Sequence, residues 1–316
     1  MIAWHEFEKG KKNRKDVFEF SLRLMSEIFS LHNDLKNKTY IHSKYEAFKI
    51  NDPKPRDIHK ASVRDRLLHH AIFRILYPYF DKQFIAHSYS SRKNKGTHRA
   101  LISFKKMANK VSKNNTKTVW ILKCDIRKFF ASIDHEVLKN ILKKHIHDVD
   151  TLNLLNHIIE SFHTEQHKGL PLGNLTSQLL VNIYMNEFDQ WVKHTLKAKN
   201  YIRYADDFVF LHTDKSILEE YLKDIHTFLD ESLKLTLHPK KVSIATLASG
   251  VDFLGWVHFP KHRTLRTVTK RRMFRKLKQK EYAEESVQSY LGMLKHGNGH
   301  KLKNEILSNK LPTDIA

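Results

Sequence analysis

The sequence predicts an α+β fold with a helical, basic front, a middle of mixed strands and helices, and a basic helical end. Three observations support this class. Apolar residues recur at helical spacing in the first third of the chain, β-rich runs ending in acids lie between residues 118 and 258, and residues 261–280 carry ten lysines and arginines but no acid. A chain of 316 residues can form one large domain, or two smaller ones, with a substantial core.

The composition indicates a globular chain with a polyanionic partner. Hydrophobic residues make up 41% of the sequence, and 56 lysines and arginines against 34 acids give a formal charge of +22. The single cysteine, Cys124, excludes an intramolecular disulfide framework and a multi-cysteine zinc site. The sequence has no apolar run of about 18 residues and no signal-like core in residues 1–12, so we expect no membrane partner and a cytoplasmic location.

The front of the chain predicts two helices separated by an extended segment. Residues 14–31 predict the first helix, and its apolar residues recur at helical spacing: Val17, Phe18, Leu22, Met25 and Phe29. Two prolines within residues 52–56 then favour an extended path. Ser62 followed by Asp65 has the form of a capping box, which predicts a second helix from that point.

The middle of the chain predicts strands that end in acids. Residues 118–126 form a β-rich run that reaches Asp125, and Asp134 is placed to cap a helix. Residues 169–174 predict a turn before a long apolar helix. Residues 201–211 predict two short strands that are hinged on a pair of aspartates.

The acids that carry chemistry are Asp125, at the end of an apolar strand, and Asp206 and Asp207, at the tip of the hairpin. Paired carboxylates on adjacent strand ends can hold two divalent cations about 3.5–4 Å apart. Mg²⁺ suits such a site because it needs only a few protein oxygens. The alternative is a pair of solvated turn residues. Apolar neighbours favour the functional interpretation, since unpaired carboxylates are costly there.

These residues resemble the motifs of reverse transcriptases. Tyr204 to Asp207 match the YADD box of that family, and Asp125 to Phe130 resemble its first catalytic-aspartate motif. Further segments resemble family motifs in the family's order: Arg56 with residues 62–71, residues 169–178, residues 237–241 and residues 253–256. The resemblance covers roughly residues 50–256 and implies an RNA-dependent DNA polymerase.

The resemblance implies a right-hand polymerase fold with fingers, an RRM-like antiparallel-sheet palm and a helical thumb. It places N-terminal helices and fingers in residues 1–118 and the palm in residues 119–258, with part of the fingers interleaved near 135–168. Residues 259–316 would form the basic thumb. The expected partners are template RNA, an RNA/DNA hybrid and deoxynucleotides.

The resemblance also assigns the catalytic and metal-binding groups. Two Mg²⁺ ions, or Mn²⁺, would be held by these groups: Asp125, the backbone of Ile126, Asp206 and Asp207. Lys241 resembles the lysine that protonates or steadies the leaving pyrophosphate, although Lys240 beside it leaves this choice open.

Nucleotide-binding residues follow from the same resemblance. Phe130 lies where the family places an aromatic ring under the sugar, which would exclude a 2′-hydroxyl, whereas its neighbour Phe129 is expected in the core. Arg56 could hold the triphosphate bidentately. Lys54 and Arg64 are further candidates, in a region that carries many other basic residues.

The loop in residues 170–178 distinguishes branches of the family. It carries Leu172 and Gln178 where most intron and retron relatives read QG followed by SP, while Gly173 would let the backbone approach base and template. With residues 91–101, this loop resembles reverse transcriptases of diversity-generating retroelements. That likeness implies error-prone copying of a template-repeat RNA at adenines, and a small basic accessory protein.

Alternatives remain open at this point. A retron-like, abortive-infection or group II-like enzyme is the nearest competitor, and a non-catalytic RNA-binding scaffold is a third possibility. In each case the basic run would contact phosphate, because ten clustered cations repel one another unless they are neutralised. The primer–template candidates in that run are Arg271, Arg272, Arg275 and Lys276.

Overall fold

The computed structural model describes residues 1–51 and 55–310 and shows an α+β arrangement, which confirms the predicted class. The α-helices are α1 (Ile2–Glu8), α2 (Lys15–Ser21), α3 (Leu24–Lys36), α4 (Val63–Asp81), α5 (Thr97–Val111), α6 (His135–Lys143), α7 (Val149–Glu160), α8 (Leu175–His194), α9 (Lys215–Leu233), α10 (Thr267–Gln279), α11 (Glu284–Leu294) and α12 (His300–Lys310). The strands are β1 (Glu46–Ile50), β2 (Arg56–Lys60), β3 (Trp120–Asp125), β4 (Tyr201–Tyr204), β5 (Asp207–His212), β6 (Ser243–Thr246), β7 (Val251–Phe253), β8 (Trp256–His258) and β9 (Arg263–Leu265).

A four-stranded antiparallel sheet in the order β4-β5-β3-β6 lies at the centre of the fold. Successive side chains of a strand point to opposite faces. Leu122 and Phe208 therefore join one buried cluster, while Ile121 and Val209 join another. Cys124 is also fully buried, as its position in an apolar strand predicts. Buried clusters therefore pack against both faces of the sheet.

Helices on the two faces of the sheet fix it in place. Helices α8 and α9 belong to the larger cluster, in which Tyr184, Phe188 and Leu229 are fully buried. Helix α5 covers the other face through Ala100 and Phe104. The long apolar run predicted after residue 174 is helix α8, and its all-round hydrophobicity reflects burial on nearly every side.

Both predicted helix caps are present. The Asp65 backbone N–H donates to Ser62 Oγ at 3.1 Å at the start of α4. The Val137 backbone N–H donates to Asp134 Oδ1 at 3.0 Å at the start of α6. Each side chain satisfies a backbone donor that has no partner within its helix.

The single helix predicted for residues 14–31 is wrong, because the chain forms α2 and α3 with a break at residues 22–23. Near this break, Ser21 Oγ donates to a backbone carbonyl of α2, and Ser26 Oγ donates to the Arg23 carbonyl. Such bonds offer the backbone an alternative to helical pairing. Among the predicted apolar positions Val17 is buried, whereas four are exposed: Phe18, Leu22, Met25 and Phe29.

Two smaller sheets and a third cluster complete the described chain. Strands β1 and β2 form an antiparallel hairpin, and β7, β8 and β9 form a three-stranded sheet. Trp256 on β8 joins the cluster formed by the C-terminal helices. A Cβ atom at Gly297 would lie 2.0 Å from the Trp256 ring, so this approach requires glycine. In the described ranges, no helix combines the length and apolar character needed to cross a membrane.

Candidate active site

The three predicted carboxylates meet at one end of the central sheet. Asp125 ends β3 and is the register partner of Asp207, the first residue of β5. Asp206 lies in the two-residue turn between β4 and β5, and its carbonyl accepts a hydrogen bond from the Ile126 backbone N–H at 3.2 Å. The chain around Asp125 is also fixed, because the His238 N–H donates to the Asp125 carbonyl at 2.7 Å.

Burial disfavours the charged forms of two of these acids. Burial, and then the nearby Asp125 charge, raise the pKa of Asp206. Burial also raises the pKa of Asp207 to about 7, with smaller contributions from Asp125 and Asp206, while Lys123 opposes the shift. The Oδ1 atom of Asp207 is buried and has no hydrogen-bond partner among the described residues. This cluster therefore favours an added positive charge.

Lysine side chains lie on two sides of the acids. Lys241 Nζ is 2.7 Å from Asp125 Oδ1, which selects Lys241 over Lys240 as the lysine in contact with the carboxylates. Lys123 Nζ is 3.9 Å from Asp207 Oδ2 and donates to the Asp252 carbonyl at 2.6 Å. The described residues contain no group of three His, Cys, Asp or Glu side chains arranged to hold a metal ion.

A cavity of about 490 Å³ opens beside Asp125 and Asp207. Its size falls within the roughly 300–1,000 Å³ that is typical of small-molecule sites. The charged side chains around it include Lys123, Lys240, Lys241, Asp252 and Arg266. An anionic ligand with several charged oxygens would suit this lining better than an apolar ligand.

The predicted triphosphate residues have different positions. Arg56 begins β2 and is exposed, and its charge acts on Asp206, where it lowers the pKa against the effect of burial. Arg64 forms an ion pair with Asp34 of α3, and its guanidinium lies 5.6 Å from the Tyr40 ring centre. In this arrangement Arg64 joins the N-terminal helices to α4. The prediction for Lys54 lies outside the described residues.

The predicted nucleotide loop is joined to strand β2. The His59 N–H donates to the Leu172 carbonyl at 3.1 Å, and Asn174 Nδ2 donates to the His59 carbonyl at 2.9 Å. Gly173 has φ of +110°, and a Cβ atom there would lie 3.0 Å from Ile58 Cγ2. The backbone conformation therefore already favours glycine, and the close contact with Ile58 adds to this, apart from any approach of a base.

Phe130 and Gln178 are the remaining predicted nucleotide-binding residues near this loop. Phe129 is buried, whereas Phe130 is half-buried, with the two rings edge to face at 5.7 Å. The Phe130 carbonyl accepts from the Leu170 N–H at 2.8 Å, which joins Phe130 to the loop. Gln178 is half-buried in the first turn of α8. The different burial of the two phenylalanines agrees with the expectation that Phe129 belongs to the core.

The predicted primer–template cations all lie on helix α10: Arg271, Arg272, Arg275 and Lys276. Arg271 and Arg275 are exposed and one turn apart, while Arg272 and Lys276 are half-buried. Met273 is fully buried within the cluster of the C-terminal helices. The exposed pair therefore offers two positive charges on one side of a helix that is anchored by its other side.

The sequence did not predict the ionic group beside the acids. Asp252 on β7 forms an ion pair with Arg266, which precedes α10, and its carbonyl accepts from Lys123. The sequence feature that could have indicated this group is a charged residue within an apolar strand, such as Lys123 between Leu122 and Cys124. This group connects the acid-bearing sheet to the start of α10.

Comparisons with known proteins identify a family whose sequence model matches this chain. The family model for reverse transcriptase (RNA-dependent DNA polymerase) matches residues 49–258. Protein YkfC of Escherichia coli K12 is 26% identical over 232 residues, which cover 61% of this chain and 60% of YkfC. The retron Ec83 reverse transcriptase of Escherichia coli is 30% identical over 114 residues, 34% of this chain and 36% of that protein. The chain thus spans less than two thirds of either relative.

Solved structures are similar at the level of fold. Apo telomerase from Candida tropicalis, truncated from its C-terminal domain, matches with a TM-score of 0.52 and 11% identity, covering 77% of this chain and 60% of that one. This likeness, together with the mixed helices and sheet, confirms the predicted polymerase fold.

Proposed function

The chain belongs to the reverse transcriptase family, and we propose that it is an RNA-directed DNA polymerase that extends a primer with deoxynucleotides on template RNA. The observation that carries the proposal is the register pair of Asp125 and Asp207, with Asp206 beside them, at the edge of a cavity lined by basic and acidic side chains. Paired carboxylates at this position are the arrangement that nucleotidyl transfer requires.

The chemistry of the acid cluster favours divalent cations, Mg²⁺ first and Mn²⁺ second, although no three of the described side chains are arranged around one ion. Asp207 Oδ1 is a buried carboxylate oxygen without a hydrogen bond, and burial raises the pKa of both Asp206 and Asp207. Asp125, Asp206, Asp207 and the Ile126 backbone would hold two ions. When bound, these ions would activate the primer hydroxyl and offset the negative charge that develops at the phosphate.

The protein's own residues position the other reacting groups. The primer 3′-hydroxyl gives its proton to solvent water, its O3′ attacks the α-phosphorus to form a new O–P bond, and the bond from that phosphorus to the pyrophosphate oxygen breaks. Arg56 binds the triphosphate, as its charge at Asp206 supports. Lys241 leaves Asp125 for the pyrophosphate and donates a proton to the leaving oxygen, since its ammonium group already lies at the acid cluster.

We assign selection of the nucleotide to two side chains, Phe130 and Leu172. Phe130 excludes a 2′-hydroxyl, a role that its half-buried position supports. Leu172 borders the nucleotide with an apolar side chain, beside Gly173, and its carbonyl is held by β2. Gln178 would contact the nucleotide from the first turn of α8. The basic helix α10 would follow the primer–template backbone.

Within the family, the proposed branch is the diversity-generating retroelement. Leu172 and Gln178 in the loop, with the 91–101 segment, support this assignment. The enzyme would copy a template-repeat RNA with errors at adenines, in a bacterial, archaeal or phage-encoded system, with a small basic accessory protein. A retron-like or antiphage-defence enzyme is the second candidate, and the likeness to a retron reverse transcriptase favours it.

The proposed division of the chain is N-terminal helices and fingers in 1–118, palm in 119–258 with fingers interleaved near 135–168, and thumb in 259–316. The buried cluster that contains Leu265, Met273 and Leu277 supports a thumb core. Trp256 of the proposed palm and Leu101 of residues 1–118 join the same cluster, so this core is continuous with both regions.

The test is primer extension by the full chain on an RNA template of one defined sequence, with Mg²⁺ and deoxynucleotides. Asp206→Asn should abolish extension while RNA affinity and melting temperature stay near those of the parent, because only metal ligation is lost. Asp224→Asn, at an exposed position on α9, is the matched control. Extension by Asp206→Asn within about tenfold of the parent would contradict the assignment.

A separate observation distinguishes the two candidate roles. A diversity-generating element requires a near-identical repeat pair that differs at adenines, close to the gene for this chain. A neighbourhood without such a pair, together with cDNA that matches its template at adenines, would favour the defence role. A chain that binds RNA without any extension would instead be a scaffold.

A further inference from the structure

A fully buried ion pair lies directly beneath the acid-bearing turn. Arg203 on β4 and Asp189 on α8 both have 0% exposure. Arg203 Nε donates to Asp189 Oδ1 at 2.8 Å, and Nη2 donates to Oδ2 at 2.6 Å, a bidentate pairing. The Tyr201 hydroxyl also donates to Asp189 Oδ1 at 2.8 Å. Two charges without contact to water are retained only when each is fully paired.

The remaining donors of Arg203 reach three further acceptors. Nη2 donates to Ser88 Oγ at 3.0 Å, and Nη1 donates to Asn182 Oδ1 at 3.4 Å. Nη1 also donates to the Ala205 carbonyl at 3.1 Å. A guanidinium carries five N–H groups, and here five acceptors surround it. Its orientation is therefore fixed from several directions.

The Ala205 carbonyl is the contact with chemical consequences. Ala205 has φ of +55°, a left-handed backbone conformation that a residue with a Cβ atom adopts at a cost. Its carbonyl belongs to the peptide group that leads into Asp206. On the far side of Asp206, the carbonyl is held by the Ile126 N–H at 3.2 Å. The two peptide groups that flank Asp206 are thus each held by one hydrogen bond.

From this arrangement we infer that Arg203 is a positioning residue, which holds the Ala205 carbonyl so that the turn presents the Asp206 carboxylate to the reacting nucleotide. Asp189 in turn fixes the guanidinium. The inference rests on the proposed polymerase function for its kinetic consequence. Its structural content, a turn held by Arg203, can be measured without turnover.

The alternative is that the pair only joins α8 to β4 and stabilises the fold. A purely structural role predicts a lower melting temperature without a selective change in kcat. Removing the charge altogether would leave Asp189 buried and unpaired, and such a variant could simply fail to fold. The informative substitution therefore keeps the charge and removes only the planar fork.

Arg203→Lys is that substitution. An ammonium group cannot span both Asp189 oxygens and the Ala205 carbonyl in the way that a guanidinium does. Ser88→Ala is the matched control, because Ser88 is also fully buried and contacts the same guanidinium but not the turn. Both variants remove one or more hydrogen bonds of Arg203, and only the first is expected to release Ala205.

The measurements are primer-extension kinetics, melting temperature and hydrogen exchange of residues 204–208. We expect Arg203→Lys to lower kcat by about tenfold or more, with KM for the deoxynucleotide within about threefold of the parent. Exchange of the turn should rise in Arg203→Lys and stay at the parent level in Ser88→Ala, which should keep kcat within about twofold.

Unchanged kcat and unchanged exchange in Arg203→Lys would overturn the inference. Equal losses of kcat and melting temperature in both variants would also overturn it, since they indicate a structural role alone. A parent chain without extension activity would contradict the proposed function instead. In that case the exchange comparison still decides whether Arg203 holds the turn.

Discussion

The Lys241 ammonium group lies 2.7 Å from the Asp125 carboxylate, across 116 positions of sequence. Asp125 is thus paired with a cation supplied by the chain itself. Positive charge delivered by bound ions would weaken this pair and allow Lys241 to turn toward a phosphate. The lysine is 40% exposed, so such a movement is not blocked by packing.

Lys241→Met should lower kcat for nucleotide addition by about 100-fold, because the leaving pyrophosphate loses its proton donor. KM for the deoxynucleotide should change much less. Single-turnover primer extension measures the chemical step directly. Lys240→Met is the control, since its neighbouring ammonium has no contact with Asp125, and it should stay within about threefold of the parent. Equal losses of kcat in the two variants would instead indicate an effect of the overall charge.

Phe130→Ala should admit ribonucleotides that the parent rejects, because the ring no longer blocks a 2′-hydroxyl. The measured quantity is the ratio of kcat/KM for deoxynucleotide and ribonucleotide opposite one template base. Phe129→Leu is the control: it alters a buried neighbour, so it should lower stability and leave the ratio unchanged. An unchanged ratio in Phe130→Ala would remove Phe130 as the sugar gate.

Leu172→Gln should lower the error rate opposite template adenine. A polar group that is read by hydrogen bonds can discriminate strongly, whereas an apolar contact contributes only about 1–3 kcal/mol. That argument predicts a higher error rate in general. The bias toward errors at adenine follows from the family resemblance. Sequencing of cDNA made by both proteins on one RNA measures it. Equal error rates opposite adenine in the two proteins would show that Leu172 does not determine this error. A low error rate in the parent would contradict the retroelement assignment.

Charge reversal of Arg271 and Arg275 should weaken primer–template binding for every sequence tested. Both side chains are exposed on α10, so the change should leave the fold intact. The slope of log affinity against log salt should fall by about one for each phosphate that the helix no longer neutralises. Reversal of the exposed Lys36 and Lys223 is the control. An equal slope in both double variants would indicate a general effect of net charge.

Stability should fall as the pH is lowered from about 6.5 toward 4, in part through His69. Its ring is 1% exposed and neither nitrogen has a hydrogen-bond partner among the described residues. Burial lowers the pKa of His69 to about 3, with smaller contributions from His42, His70 and Arg66, while Asp65 opposes the shift. The unfolded chain therefore binds a proton that the folded chain does not, so the free energy of unfolding rises with pH across this range.

His69→Phe should flatten that dependence by up to about 1.4 kcal/mol per pH unit, because the titrating ring is replaced by one of similar shape. His32→Gln, at an exposed position on α3, should keep the slope of the parent. Urea unfolding at several pH values provides the comparison. A parent-like slope in His69→Phe would contradict the assignment.

Local signals in the sequence predicted much of the site. Asp206 and Asp207 lie in a hairpin whose turn and strands are adjacent in sequence, and Asp125 ends an apolar run, so their meeting required only that the strands pair. The caps Ser62 and Asp134 likewise depend on residues three positions away. Patterns of this kind are complete within a short stretch of chain.

What the sequence did not predict depends on distant partners. Arg64 is a generic exposed-type residue until the fold brings Asp34 beside it, 30 positions away. Arg203 is simply a charge in a strand when the sequence is considered alone, and only the packing of α8 reveals Asp189. At position 173 the φ of +110° requires glycine, and the close contact that a Cβ atom there would make with Ile58 involves a separate hairpin. None of these partners has a spacing rule that a sequence pattern can express.

The order of the central sheet has a consequence for synthesis of the chain. Strand β3 leaves the ribosome first, but its two neighbours are β5 and β6, which end at residues 212 and 246. Both of its edges therefore remain unpaired until β5 has been translated, and one edge remains unpaired until β6 follows. A nascent chain that stops before residue 243 would expose one edge of an apolar strand to other chains, with aggregation as the expected outcome.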